Sequence, residues 1–208
     1  MKNEQLETWV SEFGEDYISR NLPEHRVMAS RITLWSKILN SLSCDSLTSI
    51  LEVGSNVGLN LRALSLLSPA KLCAIEPFAD ALNICVSDGV IKKENAFCTS
   101  AFDRSIFKDS QIDLVFTSGV LIHIHPNDLK NATDNIVRMA KKYVVCVEYF
   151  SDKEESILYR GQKDRLFKRD FGSFYLDNYP ELSLCDYGFM WKKVTGLDNL
   201  TWWLFEKK

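Results

Sequence analysis

The stretch "ILEVGSNVGLN", residues 50–60, runs from apolar residues to a carboxylate, Glu52, then through two glycines, Gly54 and Gly58, into leucines at helical spacing. This is the pattern of a strand, a tight turn and a helix, the unit from which α/β folds are built. A phosphate-cradling loop needs GxxxxGK[ST]. Here the second glycine comes one residue early and is followed by Leu59 and Asn60, with no lysine. A dinucleotide fingerprint needs GxGxxG, and position 56 is Asn56. What remains is Glu-x-Gly-x-x-x-Gly, in which glycine lets the backbone come close to a bulky ligand. The carboxylate suits a cationic or amine-bearing ligand better than a pyrophosphate. A tight turn in any α/β fold has the same glycines.

Outward from this turn, strand and helix patterns alternate. Strands are predicted at 49–53, 71–75, 94–99, 112–118 and 143–149, and helices at 59–67, 77–85 and 126–141. Upstream, residues 1–22 read as a helical arm with Trp9, Phe13 and Tyr17 on one face. Pro23 opens a second helix with Met28, Ile32, Trp35 and Leu39 as its buried stripe. Residues 151–180 are polar, aromatic-rich and poorly periodic, an excursion before two strands at 182–189 and 200–206. A short, turn-containing link joins those two, so they are expected to pair antiparallel. The reading is one α/β domain whose mostly parallel seven-stranded sheet ends in a C-terminal antiparallel hairpin. Its parts are an N-terminal helical segment (1–44), a ligand-binding core (45–150), an insertion (151–180) and the hairpin (181–208).

The chain has 208 residues, 46% hydrophobic and 25% charged, as expected of a soluble globular domain. A net charge of −3 gives no basic field for nucleic acid or a membrane surface. No apolar run approaches the ~20 residues of a bilayer span, and the acidic, polar N-terminal residues lack the build of a signal peptide. Six cysteines, Cys44, Cys73, Cys85, Cys98, Cys146 and Cys185, are scattered without a CxxC pair. They read as buried, reduced thiols, which points to the cytoplasm. Three histidines without a matching carboxylate pattern predict no metal site.

The second strand ends in Glu76, 22 residues after Gly54. A carboxylate there accepts hydrogen bonds from the two hydroxyls of a ribose and repels a 2′-phosphate. Two carboxylates and this glycine turn together describe a nucleoside with no phosphates and a positive end, and S-adenosylmethionine fits.

With "LEVGSNVG", "AIEP" and "IDLVFTSGVLIHI" the chain resembles the class I S-adenosylmethionine-dependent methyltransferases over about residues 45–150. A closer resemblance, to the pseudaminic acid biosynthesis-associated methylases, is carried by "ILEVGSNVGLNL", "GVLIHIHPNDL", "YRGQKDRLFKRDFG" and "DYGFMWKK…DNLTWWLFEK" and spans most of the chain. The resemblance implies a Rossmann-like class I methyltransferase fold with S-adenosylmethionine as cofactor. The acceptor it implies is small and anionic, a nonulosonic sugar or its nucleotide-activated form. It places Glu52, Gly54, Ser55, Asn56 and Gly58 along the methionine part of the cofactor, and Glu76 with Pro77 at the ribose. Many members carry an Asp after the third strand for the adenine amino group; here that place is Ser100, Ala101 and Phe102, so a hydroxyl or backbone group serves. Ser118 and Gly119 fall beside the methionine and the reactive methyl.

Methyl transfer is an in-line displacement, so alignment of the reacting groups is the enzyme's main contribution, and a positioned base adds ~10²–10⁴-fold. The candidates are His123 and His125 in "LIHIHP", since an unperturbed histidine with a pKa of ~6.5 serves as a base near neutrality. The alternative is that His125 caps the helix opened by Pro126 and His123 is a polar packing residue. His25 reads as a surface residue. Tyr149, beside Glu148 at the end of the fifth strand, is either a pocket residue or an aromatic packed on the insertion.

Residues 159–172 hold five basic side chains against two acidic ones. Tyr159, Arg160, Arg165, Lys168 and Arg169 suit an anionic, partly planar acceptor, while a solvated loop face has the same composition. The segment is a small footprint for nucleic acid. The N-terminal helix reads as a lid with Tyr17, Arg20 and Asn21 nearest the mouth of the site. Trp202 and Trp203 alternate across a strand as core and rim. Two rival functions share part of this pattern: an NAD-dependent sugar-modifying enzyme, which lacks its GxGxxG loop here, and a protein that binds S-adenosylmethionine without transferring the methyl.

Overall fold

Short apolar runs become parallel strands when helices cover both faces of the sheet they form. A computed structural model of the chain describes residues 21–42, 47–159 and 162–208, with the backbone alone for 162–164. In chain order the elements are α1 (His25–Asn40), β1 (Ser49–Val53), α2 (Leu59–Leu67), β2 (Lys71–Ile75), α3 (Ala79–Ser87), β3 (Ala96–Phe97), β4 (Ile112–Ser118), α4 (Pro126–Met139) and β5 (Ala140–Glu148). They continue with β6 (Glu155–Tyr159), β7 (Gln162–Lys168), α5 (Phe171–Asn178), β8 (Leu182–Met190), α6 (Lys192–Thr195) and β9 (Leu200–Lys207).

The main sheet has seven strands in the order β3-β2-β1-β4-β5-β9-β8. Strands β1 to β5 run parallel, and β9 lies antiparallel to both β5 and β8. This is the Rossmann-like class I methyltransferase topology, closed by the expected antiparallel hairpin. Because β2 pairs with one side of β1 and β4 with the other, the strand order reverses there. A crevice opens beyond the carboxyl ends of these strands, where α/β sheets bind their ligands.

Each face of the sheet has its own core. On one, Leu34, Trp35, Leu61 and Leu82 from α1, α2 and α3 pack on Ile50, Leu114, Phe116 and Trp202. On the other, Leu129, Ile136, Phe171 and Tyr175 from α4 and α5 pack on Leu51, Val115, Cys146 and Trp203. Trp202 and Trp203 therefore enter opposite cores, and both are buried. The contact face of α1 is centred on Trp35, whose ring meets Phe116 edge-on at 4.4 Å between centroids. Leu34 and Ile38 are buried with it, while Met28, Ile32 and Leu39 of the predicted stripe are only partly covered.

Four sequence expectations are corrected. The third strand is two residues long, because a 3₁₀ turn at Lys93–Asn95 occupies its predicted start and it sits at the sheet edge with β2 as its one neighbour. The third helix begins at Ala79, after the turn that Pro77 makes. The excursion is ordered into an antiparallel hairpin, β6 with β7, followed by α5. It lacks a readable period because Glu155, Ser156 and Leu158 are exposed together, so neither face of β6 is continuously apolar. Finally, Cys98 and Cys185 are exposed thiols, the first just past the short β3 and the second on the open edge of β8, whereas Cys73, Cys85 and Cys146 are buried. Cys44 lies outside the described residues. Among these residues no helix is long and apolar enough to cross a membrane.

Gly58 precedes α2 with φ +73°, and a Cβ there would fall on Cys85 Sγ of α3. Glycine is thus required both by the left-handed backbone and by the approach of α3. Gly58→Ala is expected to lower stability by about 1–3 kcal/mol, read as a lower urea midpoint with an unchanged slope.

Candidate functional site

Glu52, the penultimate residue of β1, is only 1% exposed. Its Oε1 accepts a hydrogen bond from Asn60 Nδ2 at 2.7 Å, and Asn60 Oδ1 in turn accepts from Trp35 Nε1 at 3.3 Å. Oε2 has no hydrogen-bond partner among the described residues, and Glu52 lines a cavity at the carboxyl ends of β1, β2 and β4. Burial pushes the Glu52 pKa up to about 8, against the pull of Asn60 and the nearby positive charge of Arg31. A buried carboxyl oxygen without a partner is costly, so this wall of the cavity is electrostatically incomplete and is matched by a cation or an N–H donor.

Glu76 follows β2 into the same cavity. Its two oxygens accept the N–H groups of Phe78 (2.9 Å) and Asn56 (2.7 Å). Burial raises its pKa and these two amides pull it back. Asn56 takes φ +48°, unusual for a residue with a side chain. Its side chain accepts the N–H of Val57 at 2.7 Å, so the turn is held from both ends. Each Glu76 oxygen keeps acceptor capacity for a pair of ribose hydroxyls.

The glycines divide the work differently from the sequence expectation. Gly54 lines the cavity, and the space a Cβ would take there is filled by Val120, with Cγ2 at 2.5 Å, so its lack of a side chain also admits that neighbour. Gly58 does not line the cavity. Gly119, after β4, does line it, and a Cβ there meets nothing within 4 Å. Ser55, Asn56, Pro77 and Ser118 also line the cavity, as do Ser100, Ala101 and Phe102 on the loop after β3. That loop is anchored from α4, where Asn135 Nδ2 donates to the carbonyls of Ala101 (2.8 Å) and Asp103 (2.9 Å).

The 3₁₀ turn Leu121–His123 brings His123 into the cavity wall. Its Nδ1 lies 2.8 Å from the Arg165 carbonyl of β7. A carbonyl only accepts, so Nδ1 carries the proton and Nε2 is the basic nitrogen of the neutral ring. Burial lowers the pKa of His123 to about 4, partly offset by this hydrogen bond. Tyr159 of β6 lies against the ring at 5.3 Å between centroids.

Other predicted site residues are used elsewhere. His125 is outside the cavity wall; it caps α4, its Nδ1 accepting the N–H of Asn127 at 3.2 Å, with its ring against Phe167. Tyr149 also lies off the wall and donates its hydroxyl to Asp198 at 2.7 Å. Lys168 covers the Tyr149 ring, and Arg169 pairs with Glu154 and lies over Phe174. Tyr17, Arg20 and Arg160, and the lid itself, fall outside the described residues. Asn21 does line the cavity. Sequence reasoning missed Arg31 and Asn60, which also line it. The signal for Asn60 was an amide in an otherwise apolar first helical turn; Arg31, flanked on an amphipathic helix by polar and apolar residues alike, had none.

Residues 51–147 match the model of the methyltransferase domain family. No curated protein sequence matches the chain. Among solved structures it is similar to an S-adenosylmethionine-dependent methyltransferase of Leishmania major, at 17% identity and a TM-score of 0.73 over 97% of this chain and 81% of that one. It is also similar to magnesium protoporphyrin IX methyltransferase of Synechocystis with bound S-adenosylmethionine (12%, 0.67, covering 100% and 99%). A third is Burkholderia thailandensis 1,6-didemethyltoxoflavin-N1-methyltransferase with bound 1,6-didemethyltoxoflavin and S-adenosylhomocysteine (12%, 0.66, covering 99% and 86%). At these identities the structural likeness is one of fold. With the domain match it defines the class of the protein: an enzyme, a methyltransferase that uses S-adenosylmethionine.

The folded pKa of Glu52, about 8, lies above its ordinary value of 4.5. The stability linked to its proton is therefore complete below about pH 4.5 and is lost as pH rises through about 8. Glu148, raised by burial to about 7, adds a decline of the same sign. The melting temperature of the ligand-free protein should fall between pH 6 and pH 9. A Glu52→Gln variant, neutral throughout, should show a shallower fall in the same thermal series.

Proposed function

We propose that the protein transfers a methyl group to a small acceptor held between the turn that carries His123 and the β6–β7 hairpin. S-adenosylmethionine, when bound, supplies a methyl on a cationic sulfonium. The residues present fit it: Glu52, with its unpartnered oxygen, takes the amino group of the methionine end, and Arg31 beside it takes the carboxylate. Glu76 takes the ribose hydroxyls. The loop of Ser100, Ala101 and Phe102 offers the adenine a hydroxyl, backbone groups and an aromatic face.

The observation that carries the transfer reading is the His123 tautomer. Its Nε2 accepts a hydrogen bond from the acceptor's O–H or N–H and so aims the nucleophile, which is the main demand of a displacement. With its pKa near 4 the ring stays neutral across the physiological range, so it acts as an aligning hydrogen-bond acceptor.

The acceptor we propose is anionic, an acidic sugar of the nonulosonic type or its nucleotide-activated form. The support is the resemblance carried by residues 159–172 and the position of Arg165 on β7, the strand that packs on the His123 turn. Lys168 and Arg169, which already have partners, contribute less to this reading.

The test uses deuteriomethyl S-adenosylmethionine with the pure protein and a metabolite extract, followed by mass spectrometry of labelled species. A labelled acidic sugar or its nucleotide is the expected product; labelled protein or RNA would replace the small-acceptor reading. His123→Ala should slow labelling about 10²-fold with unchanged calorimetric affinity for S-adenosylmethionine, and parent-like labelling would remove His123 from the chemistry. Glu76→Ala should weaken that affinity by about 10–100-fold.

A further inference from the structure

Glu148 ends β5 fully buried, and it does not line the cavity. Its Oε1 accepts two backbone hydrogen bonds, from the N–H of Val120 at 3.1 Å and of Leu121 at 3.0 Å. These donors open the 3₁₀ turn Leu121–His123, and the first N–H groups of a helical turn have no partner within it. Without the carboxyl, Leu121 would bury an unsatisfied N–H, which disfavours the turn.

The same turn delivers two side chains to the cavity. Val120 fills the space beside Gly54, and His123 presents its ring, anchored at Nδ1 by the Arg165 carbonyl. Gly119 N–H donates to the Val147 carbonyl at 2.9 Å, which ties the start of this loop to the end of β5 next to Glu148. The other Glu148 oxygen has no hydrogen-bond partner among the described residues, and neither do Thr117 Oγ1 and Tyr175 Oη, buried on the same face. Both well-formed hydrogen bonds of this carboxyl go to the turn; the Ile122 N–H and the Thr117 hydroxyl lie near enough to favour its charged form as well.

We infer that Glu148 is a positioning residue of the transfer site: through the amides of Val120 and Leu121 it fixes the turn that sets Val120 against Gly54 and His123 into the cavity wall. This rests on the methyl-transfer reading of the cavity. The role requires an oxygen acceptor at full side-chain reach, not a charge.

The test compares Glu148→Gln, Glu148→Asp and Glu148→Leu in the full chain. Gln keeps an acceptor oxygen and drops the charge, Asp keeps the charge and loses a methylene of reach, and Leu removes the acceptor. The Val120 and Leu121 amide signals and the His123 ring signals are followed by NMR, beside calorimetric binding of S-adenosylmethionine and deuteriomethyl transfer in extract. Asp and Leu should shift the turn and ring signals and cut transfer by at least about tenfold, with affinity for the cofactor altered by less than about threefold. Gln should be the mildest of the three by every readout. Unshifted signals in Asp and Leu would overturn the inference, as would a Gln variant as damaged as Leu. Should Leu fail to fold, the Asp–Gln contrast decides. If the parent transfers no label at all, the transfer reading fails while the turn and ring signals still decide the placement.

Discussion

A carboxyl group near the end of a doubly covered central strand is withdrawn from bulk water, and Glu52 stands in that position. The structure answers with one strong donor, Asn60, which offsets part of the rise that burial forces on its pKa. The second oxygen is left facing a cavity. Asn60 is steadied by Trp35, and Trp35 is the residue through which α1 packs on Phe116. The contacts that close one core thus aim the residue that makes the site receptive to a positive charge.

The opposite wall depends on a different device. Strand β4 ends in Ser118, and the loop beyond it must turn at once to stay within the crevice. Gly119 makes that turn, Val120 occupies the room that Gly54 leaves, and the 3₁₀ turn carries His123 to the cavity. The β6–β7 hairpin then reaches back over this turn, and the Arg165 carbonyl selects the His123 tautomer. An insertion far along the chain therefore sets the hydrogen-bonding character of a residue near its middle.

Much of this was legible in the residues. The parallel strands were continuous apolar runs, as burial on both faces requires, and the antiparallel pair was marked by its short connection. Glu52 and Glu76 were readable because each stands where a strand ends and a turn begins. The hairpin in the insertion was not readable, since Glu155, Ser156 and Leu158 face solvent and leave no period-two signal. Nor was the division between His123 and His125: two histidines one residue apart look alike until a 3₁₀ turn and a helix start rotate them apart.

The sequence by itself determined the class of fold, the glycine turn beside the cavity and the carboxylates that line it, because these follow from local patterning and from strand ends. Tertiary structure alone decided which atoms fill the space beside each glycine, which basic residues already have partners, and that Arg31 and Asn60 belong to the site. It also decided that Glu148 faces the amides of Val120 and Leu121. Those facts depend on contacts between segments distant in the chain, and no local pattern encodes the distance between them.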